Sequence, residues 1–325
     1  MKRRDLLALP FAAVAIPMAG RAQAAYPERA IKLIVPFAPG TALDLVGRLA
    51  AAGVSEELKV PVLIENRLGA SGVIGTQAVA NAAPDGYTLL FTAPAHYINQ
   101  FVFASLPFDA VKDFRPITKI SNAQLVMVVG KNSAFSGVKQ VIEYAKANPN
   151  KLRYSSSGLG GTIHLAFAFF NQMAGTRIEH VPYTSGAQAL TDVIAGHLDI
   201  TFTAVATALP HGRAGNLRLL GVSGLHRSRT MSDVPTIAEA ALPGFELTSW
   251  GGALAGRSVP DAVVDKLNAA FVKVAQRPEF QNRLIAMGVE PDLLPMAAFT
   301  RQIDEEVPKW RQLVESTGAA RSQKQ

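Results

Sequence analysis

No cysteine occurs among the 325 residues of the chain. Its absence excludes disulfides, Fe–S clusters, thiolate zinc sites and cysteine nucleophiles together. It also suits an oxidising compartment, where nothing in the chain can mispair. Charge is scarce too: 18% of residues are Asp, Glu, Lys or Arg, and aromatics make up 7%. The formal net charge of +7 is scattered, with no basic stripe and no interleaved aromatics, which argues against a nucleic-acid partner. Beyond the first two dozen residues no apolar run is long enough to read as a membrane anchor. The chain is still 49% hydrophobic, enough for a globular core, and its length points to about two domains.

What is present begins with a basic start, MKRRD, followed by LLALPFAAVAIPMAG, an apolar stretch too short and too Pro-interrupted to span a membrane. Ala22-Gln23-Ala24 then supplies a small-x-small pattern. Residues 1–24 therefore read as a cleavable secretory signal peptide. Arg3-Arg4-Asp5-Leu6-Leu7 also fits a twin-arginine signal, so both export routes stay open. Removing this segment, with its net of +3, leaves +4 on the mature chain. The expectation is a soluble protein exported to the periplasm.

Strand-like and helix-like segments then alternate. IKLIV (31–35), VPVLIEN (60–66) and PDGYTLLFTA (84–93) read as strands with helical patterns between them, the βαβαβ rhythm of a parallel sheet. A second such unit follows, from the helix FSGVKQVIEYAKANP through KLRYSSS, TRIEHVPY, LDITFT and LRLLGVSG. The C-terminal part reads as mostly helical. SNAQLVMVVGKNS and LTSWGGALAGRSVP are extended, apolar, and lie between the two units. As paired crossover strands they divide the mature chain into a discontinuous lobe 1 (25–122 and 250–325) and a lobe 2 (123–249). The fold class is then α/β: two lobes with mixed sheets, a two-strand hinge and a ligand cleft between them.

Four strand–turn–helix junctions share one chemistry. The turns end at Thr41, Ser71, Thr162 and Ser185, each an expected N-cap, and each follows the carboxyl end of a strand, where open α/β sheets bind ligands. A helix N-terminus offers unpaired N–H groups and partial positive charge, so it attracts an anion without a Lys or Arg. For any single turn ordinary capping is the favoured explanation, since Thr41-x-x-Asp44 is close to a capping box, and it is the four turns across two lobes together that point to a ligand. Asp44 reads either as a cap or as a contact to a ligand ammonium. No GxSxG, HExxH or Walker A pattern occurs, and the six histidines show no metal-ligand spacing. The expectation is no enzyme, no metal and no cofactor. His164 reads as a core or cleft-edge residue, and His96 as either cleft or structural.

The ordered motifs PFAPGTALD (36–44), ENRLGASGVIGTQAVANAAPDGYTLL (65–90), VKDFRPIT (111–118), SSSGLGGTIHLA (155–166), VPYTSGAQALTDVIAGHLDITF (181–202), DVPTIAEAALPGFE (233–246) and SWGGALAG (249–256) carry a resemblance. The chain resembles the periplasmic substrate-binding proteins of tripartite tricarboxylate transporters, the TctC or Bug type, over essentially its whole mature length. The resemblance implies a type II periplasmic binding fold. It also implies a monomer that captures a small carboxylate (a di- or tricarboxylate, an amino acid or an aromatic acid) for a permease of one large and one small subunit. Carried over, the ligand-binding residues are Phe37, Ala38, Gly40, Thr41 and Asp44 on the first loop, and Ser156, Ser157, Gly158, Gly160 and Thr162 on the second lobe. Tyr183, Thr184, Ser185 and Gly186 stand beside these. Ser71, Gly72, Thr92 and His96 are cleft neighbours, and Thr203 and Ala204 follow LDITF. Where the family commonly has two glycines, this chain has Gly40-Thr41, so ligand identity is expected to turn on Thr41 and Asp44. A sensor that presents its closed form to a signalling receptor, or a periplasmic hydrolase, are the alternatives.

Overall fold

The computed structural model describes residues 26–156, 161–183 and 185–318. Ile31–Val35 forms β1, with Ile31, Leu33, Ile34 and Val35 all buried, as a strand covered on both faces requires. The chain continues through α1 (Ala42–Leu58), β2 (Val62–Asn66), a 3₁₀ turn (Ala70–Gly72), α2 (Val73–Ala80), β3 (Thr88–Thr92) and α3 (Ala95–Val102). β4 (Phe114–Gly130) is the longest strand. It leads into α4 (Val138–Ala147), β5 (Arg153–Ser156), α5 (Thr162–Ala174), β6 (Glu179–Pro182) and α6 (Gly186–Ala195). Next come β7 (Thr201–Ala204), α7 (Val205–Arg213), β8 (Leu217–Val222), α8 (Ile237–Ala240) and β9 (Thr248–Gly256). The chain ends through α9 (Asp261–Ala275), α10 (Pro278–Ala286), β10 (Glu290–Pro295) and α11 (Met296–Thr317).

In the first lobe β2, β1 and β3 run parallel, and β9, β4 and β10 add antiparallel neighbours in the order β10-β4-β9-β3-β1-β2. The farther half of β4 pairs antiparallel with β7 and β8, so one continuous strand serves both mixed sheets. The two crossover segments pair as the sequence suggests, Asn122 with Trp250, Ala123 with Ser249 and Gln124 with Thr248. β5 and β6 are parallel, and a bridge from Tyr154 to Ile200 ties them to β7.

Three features depart from the sequence reading. β4 begins at Phe114, inside VKDFRPIT, well before the expected crossover at Ser121. β10 interrupts the C-terminal helices, because Glu290–Pro295 completes the free edge of β4. Ala95–Val102, after β3, forms the helix α3, an element absent from the sequence reading.

One face of the first sheet packs α1 and α9 through Leu33, Val35, Val54, Phe91 and Phe271. The other packs Ile34, Leu90, Tyr97, Trp250 and Phe299. Trp310, Leu313 and Val314 of α11, with Ile98 and Val102 of α3, join the second lobe's core of Phe167, Phe170, Phe202 and Phe245. The C-terminal helix thus spans from one core to the other.

Candidate functional site

The turn from β1 to α1 is held from behind. Asp44 is 1% exposed, and its carboxylate accepts from Gly40 N–H at 2.9 Å, Arg48 Nε at 3.0 Å and Asn66 Nδ2 at 2.8 Å. Asn66 also donates to Phe37 O at 3.0 Å, and Arg48 to Asn66 Oδ1 at 2.8 Å. Burial alone would raise the Asp44 carboxyl. The donors Arg48, Asn66 and Gly40 N–H outweigh it and hold the group below its usual range. Asp44 is therefore an ionised anchor whose charge is answered within the loop. The capping box is half made: Thr41 is the N-cap and accepts from Asp44 N–H at 3.4 Å, while the acid turns to Gly40. The Thr41 hydroxyl itself donates to Ala38 O at 2.8 Å. What the turn still offers is exposed backbone at Ala38, Gly40 and Thr41, together with the first-turn N–H groups of Ala42 and Leu43, which have no acceptor among the described residues.

The second turn leans on the first. A methyl group on Gly72 would lie 3.3 Å from Pro36 Cβ, and its φ of 97° favours glycine. Ser71 is exposed but is no N-cap. It sits inside the 3₁₀ turn at φ 54°, its carbonyl accepts from Asn99 Nδ2 at 2.9 Å, and Gly72 occupies the capping position of α2. Thr92 is buried at the end of β3 opposite Gly252. His96 departs from the cleft reading. It is 2% exposed among Tyr97, Phe108 and Phe114, and Nε2 donates to Ala110 O at 2.8 Å. Burial pushes its pKa down to about 4, so it stays neutral.

In the second lobe Ser156, Gly186, Thr203 and Ala204 line one cavity of about 340 Å³. Ser155, Ile163, Ala187, Ala189, Leu190, Thr201, Phe202 and Thr207 also line it, and no charged side chain is among these described residues. Thr162 is the first helical residue of α5, not its cap; Gly161 holds that position. Ser185 does cap α6 by backbone conformation, but its side chain makes no capping bond. The Tyr183 hydroxyl is turned away to donate to Asp192 at 2.6 Å, which pushes the phenol's pKa up. Ser157, Gly158, Gly160 and Thr184 lie outside the described residues.

Sequence reasoning missed His180. Its Nε2 lies 2.6 Å from Ser156 Oγ, and its ring stacks against Tyr154 and lies 4.5 Å from that of His164. Burial lowers the pKa of both histidines, that of His164 to about 4, with His180 adding to the effect there. Arg48 and Asn66 were also missed. Asn66 had a signal in its register, since Val35↔Asn66 places it beside the end of β1.

The family model described as "Tripartite tricarboxylate transporter family receptor" matches residues 46–319. Protein BugT of Bordetella pertussis is 30% identical over 296 residues, covering 90% of this chain and 91% of its own. A Rhodopseudomonas palustris protein solved with adipate is 32% identical with a TM-score of 0.76, covering 90% of this chain and 98% of its own. MatC from the same species, solved with bound malate, is 28% identical with a TM-score of 0.71, covering 89% and 100%. The periplasmic binding protein BugD is 29% identical with a TM-score of 0.72, covering 90% of this chain and 99% of its own, and the two-lobed α/β fold is shared with it.

Proposed function

The chain belongs to the tripartite tricarboxylate transporter receptor family, and from that premise we propose that it captures a small carboxylate with an apolar body in the interlobe cleft and delivers it to a membrane permease. The family is one of solute-binding proteins, and relatives hold adipate and malate. In this reading the lobes divide near residues 122–123 and 249–250, and residues 1–24 are an export signal. The closed form is what a permease of one large and one small subunit recognises.

One observation carries the choice of ligand: the acid that would receive an ammonium is already occupied. Asp44 is answered by Arg48, Asn66 and Gly40, and the second-lobe cavity brings hydroxyls and apolar walls but no charge. An α-amino acid would bury its ammonium without a partner there, and a tricarboxylate would bring more negative charge than helix N-termini balance. An aliphatic dicarboxylate or an aromatic acid leaves neither debt. A thermal-shift screen of the mature protein tests this through linkage. Aliphatic dicarboxylates and aromatic acids raise Tm, while amino acids and citrate do not. Stabilisation by amino acids alone would overturn the assignment. Thr203→Val weakens binding and leaves Tm of the free protein nearly unchanged, whereas Ser156→Ala weakens binding and also lowers Tm, because it removes the hydrogen bond between buried Ser156 and His180.

A further inference from the structure

Besides the two crossover strands, α11 also passes from one lobe to the other. Its first half belongs to the first lobe, with Phe299 and Ile303 buried in the core that holds Ile34, Leu90 and Trp250. Its second half belongs to the other, with Trp310, Leu313 and Val314 among Phe167, Phe170 and Phe202. Lys309 extends that grip, its ammonium 5.5 Å from the centre of the Phe169 ring on α5. α3 touches both cores as well, but the chain on either side of it stays in the first lobe. An unbroken helix of 22 residues joining two bodies would resist a change in the angle between them, because bending it lengthens its backbone hydrogen bonds.

The helix is interrupted where it makes this passage. Pro308 lies inside α11, between Ile303 of one core and Trp310 of the other. Proline has no N–H for the carbonyl of Asp304, and its ring crowds that carbonyl, so the turn loses a backbone bond and bends. Side chains hold the helix at this point. The Glu306 carboxylate accepts from Trp250 Nε1 at 3.0 Å, from Gln302 Nε2, and from Trp310 Nε1 at 3.5 Å. The bond to Trp250 ties α11 to β9 at the residue that faces Asn122 across the crossover. Gln302 is oriented in turn by Lys119 of β4, which donates to its Oε1 at 2.9 Å and pairs with Asp292 of β10. The half of α11 before the proline is thus pinned to both crossover strands. The bond to Trp310 spans the proline, and at 3.5 Å it is at the outer limit of a hydrogen bond.

We propose that α11 is a further hinge segment, bending at Pro308 as the lobes close, with Glu306 pinning its near half to the crossover strands. This rests on the reading of two lobes that close on a ligand, and it adds which part of the C-terminal helix moves with the second lobe. Closure changes the angle across Pro308, so the Glu306–Trp310 contact changes with it while the Glu306–Trp250 bond persists.

The lack of cysteine makes the test direct. Spin labels on Asp265→Cys of α9 and Lys146→Cys of α4, both exposed positions, read the distance between the lobes by double electron–electron resonance. In the ligand-free protein Pro308→Ala, at an exposed position, restores the backbone bond and narrows the distance distribution. Glu306→Ala unpins the near half and broadens it. An unchanged distribution in Pro308→Ala would overturn the proposal, as would a folded Glu306→Ala whose distribution is no broader than that of the natural protein. Should Glu306→Ala fail to fold, Pro308→Ala decides alone. Adipate added to the labelled protein shifts the distance, and Pro308→Ala reduces that shift. If adipate leaves the distance and Tm of the natural protein unchanged, the choice of ligand fails, while the ligand-free comparison still decides the hinge.

Discussion

A carboxylate as buried as Asp44 must be answered by donors or lose its charge. Gly40, Arg48 and Asn66 answer it, and in doing so they shape the turn between β1 and α1. Asp44→Ala leaves those donors unpaired and costs about 3 kcal/mol of stability. It also weakens carboxylate binding, because Gly40 and Phe37 lose their tether; urea unfolding and calorimetric titration measure the two effects. The folded pKa of Asp44 is depressed, so its contribution is present above the unfolded value of 3.8 and is lost as pH falls below it. The stability gap between the natural protein and Asp44→Asn therefore narrows in acid below pH 4. His96 acts in a different window. Its folded pKa of about 4 lies under the unfolded 6.5, so the unfolded chain takes up the proton first, and stability falls as pH drops from 6.5 toward 4. The loss is on the order of 2–3 kcal/mol, and His96→Gln flattens that part of the pH–stability curve. The sequence marked Asp44 and His96 as ambiguous. The ambiguity lay in partners far along the chain: Asn66 on a neighbouring strand, and Ala110 and Phe114 beyond α3.

At the scale of elements, apolar periodicity located most strands and helices, because burial on a sheet or helix face is written locally. Capping was less legible. Thr41 caps α1 as expected, yet Ser71 and Thr162 miss the cap by one residue because Gly72 and Gly161 take the backbone position. A serine or threonine beside a glycine gives two candidates for one site, and the approach of the preceding strand decides between them. Helix contacts were not legible at all. Gly53 on α1 lies where a methyl group would come within 2.6 Å of Val274 Cγ1 on α9. Gly53→Ala therefore overpacks that crossing by about 1–3 kcal/mol, only partly offset by about 1 kcal/mol of helix propensity. Tm falls, and the double variant Gly53→Ala with Val274→Ala recovers part of the loss; a double-mutant cycle of unfolding free energies checks this.

For the whole molecule, α11 is the element that the chain order conceals. Trp310, 4% exposed, packs with α3 and the second lobe's core although it lies at the end of the sequence. Trp310→Ala costs about 3–5 kcal/mol, and amide exchange rises in α5, far away in sequence; hydrogen-exchange mass spectrometry reads it directly. By itself the sequence determined the α/β class, the two crossover strands and the family. Each of these depends on local periodicity, on turn chemistry or on motifs in order. Only the tertiary structure decided that Asp44 is spent on its own loop, that His96 is core, that Ser156 meets His180, and that β10 and α11 complete sheet and core from the far end of the chain. The reason is physical: a side chain's charge, exposure and hydrogen bonds are set by neighbours that folding brings from elsewhere, and linear spacing carries no record of them.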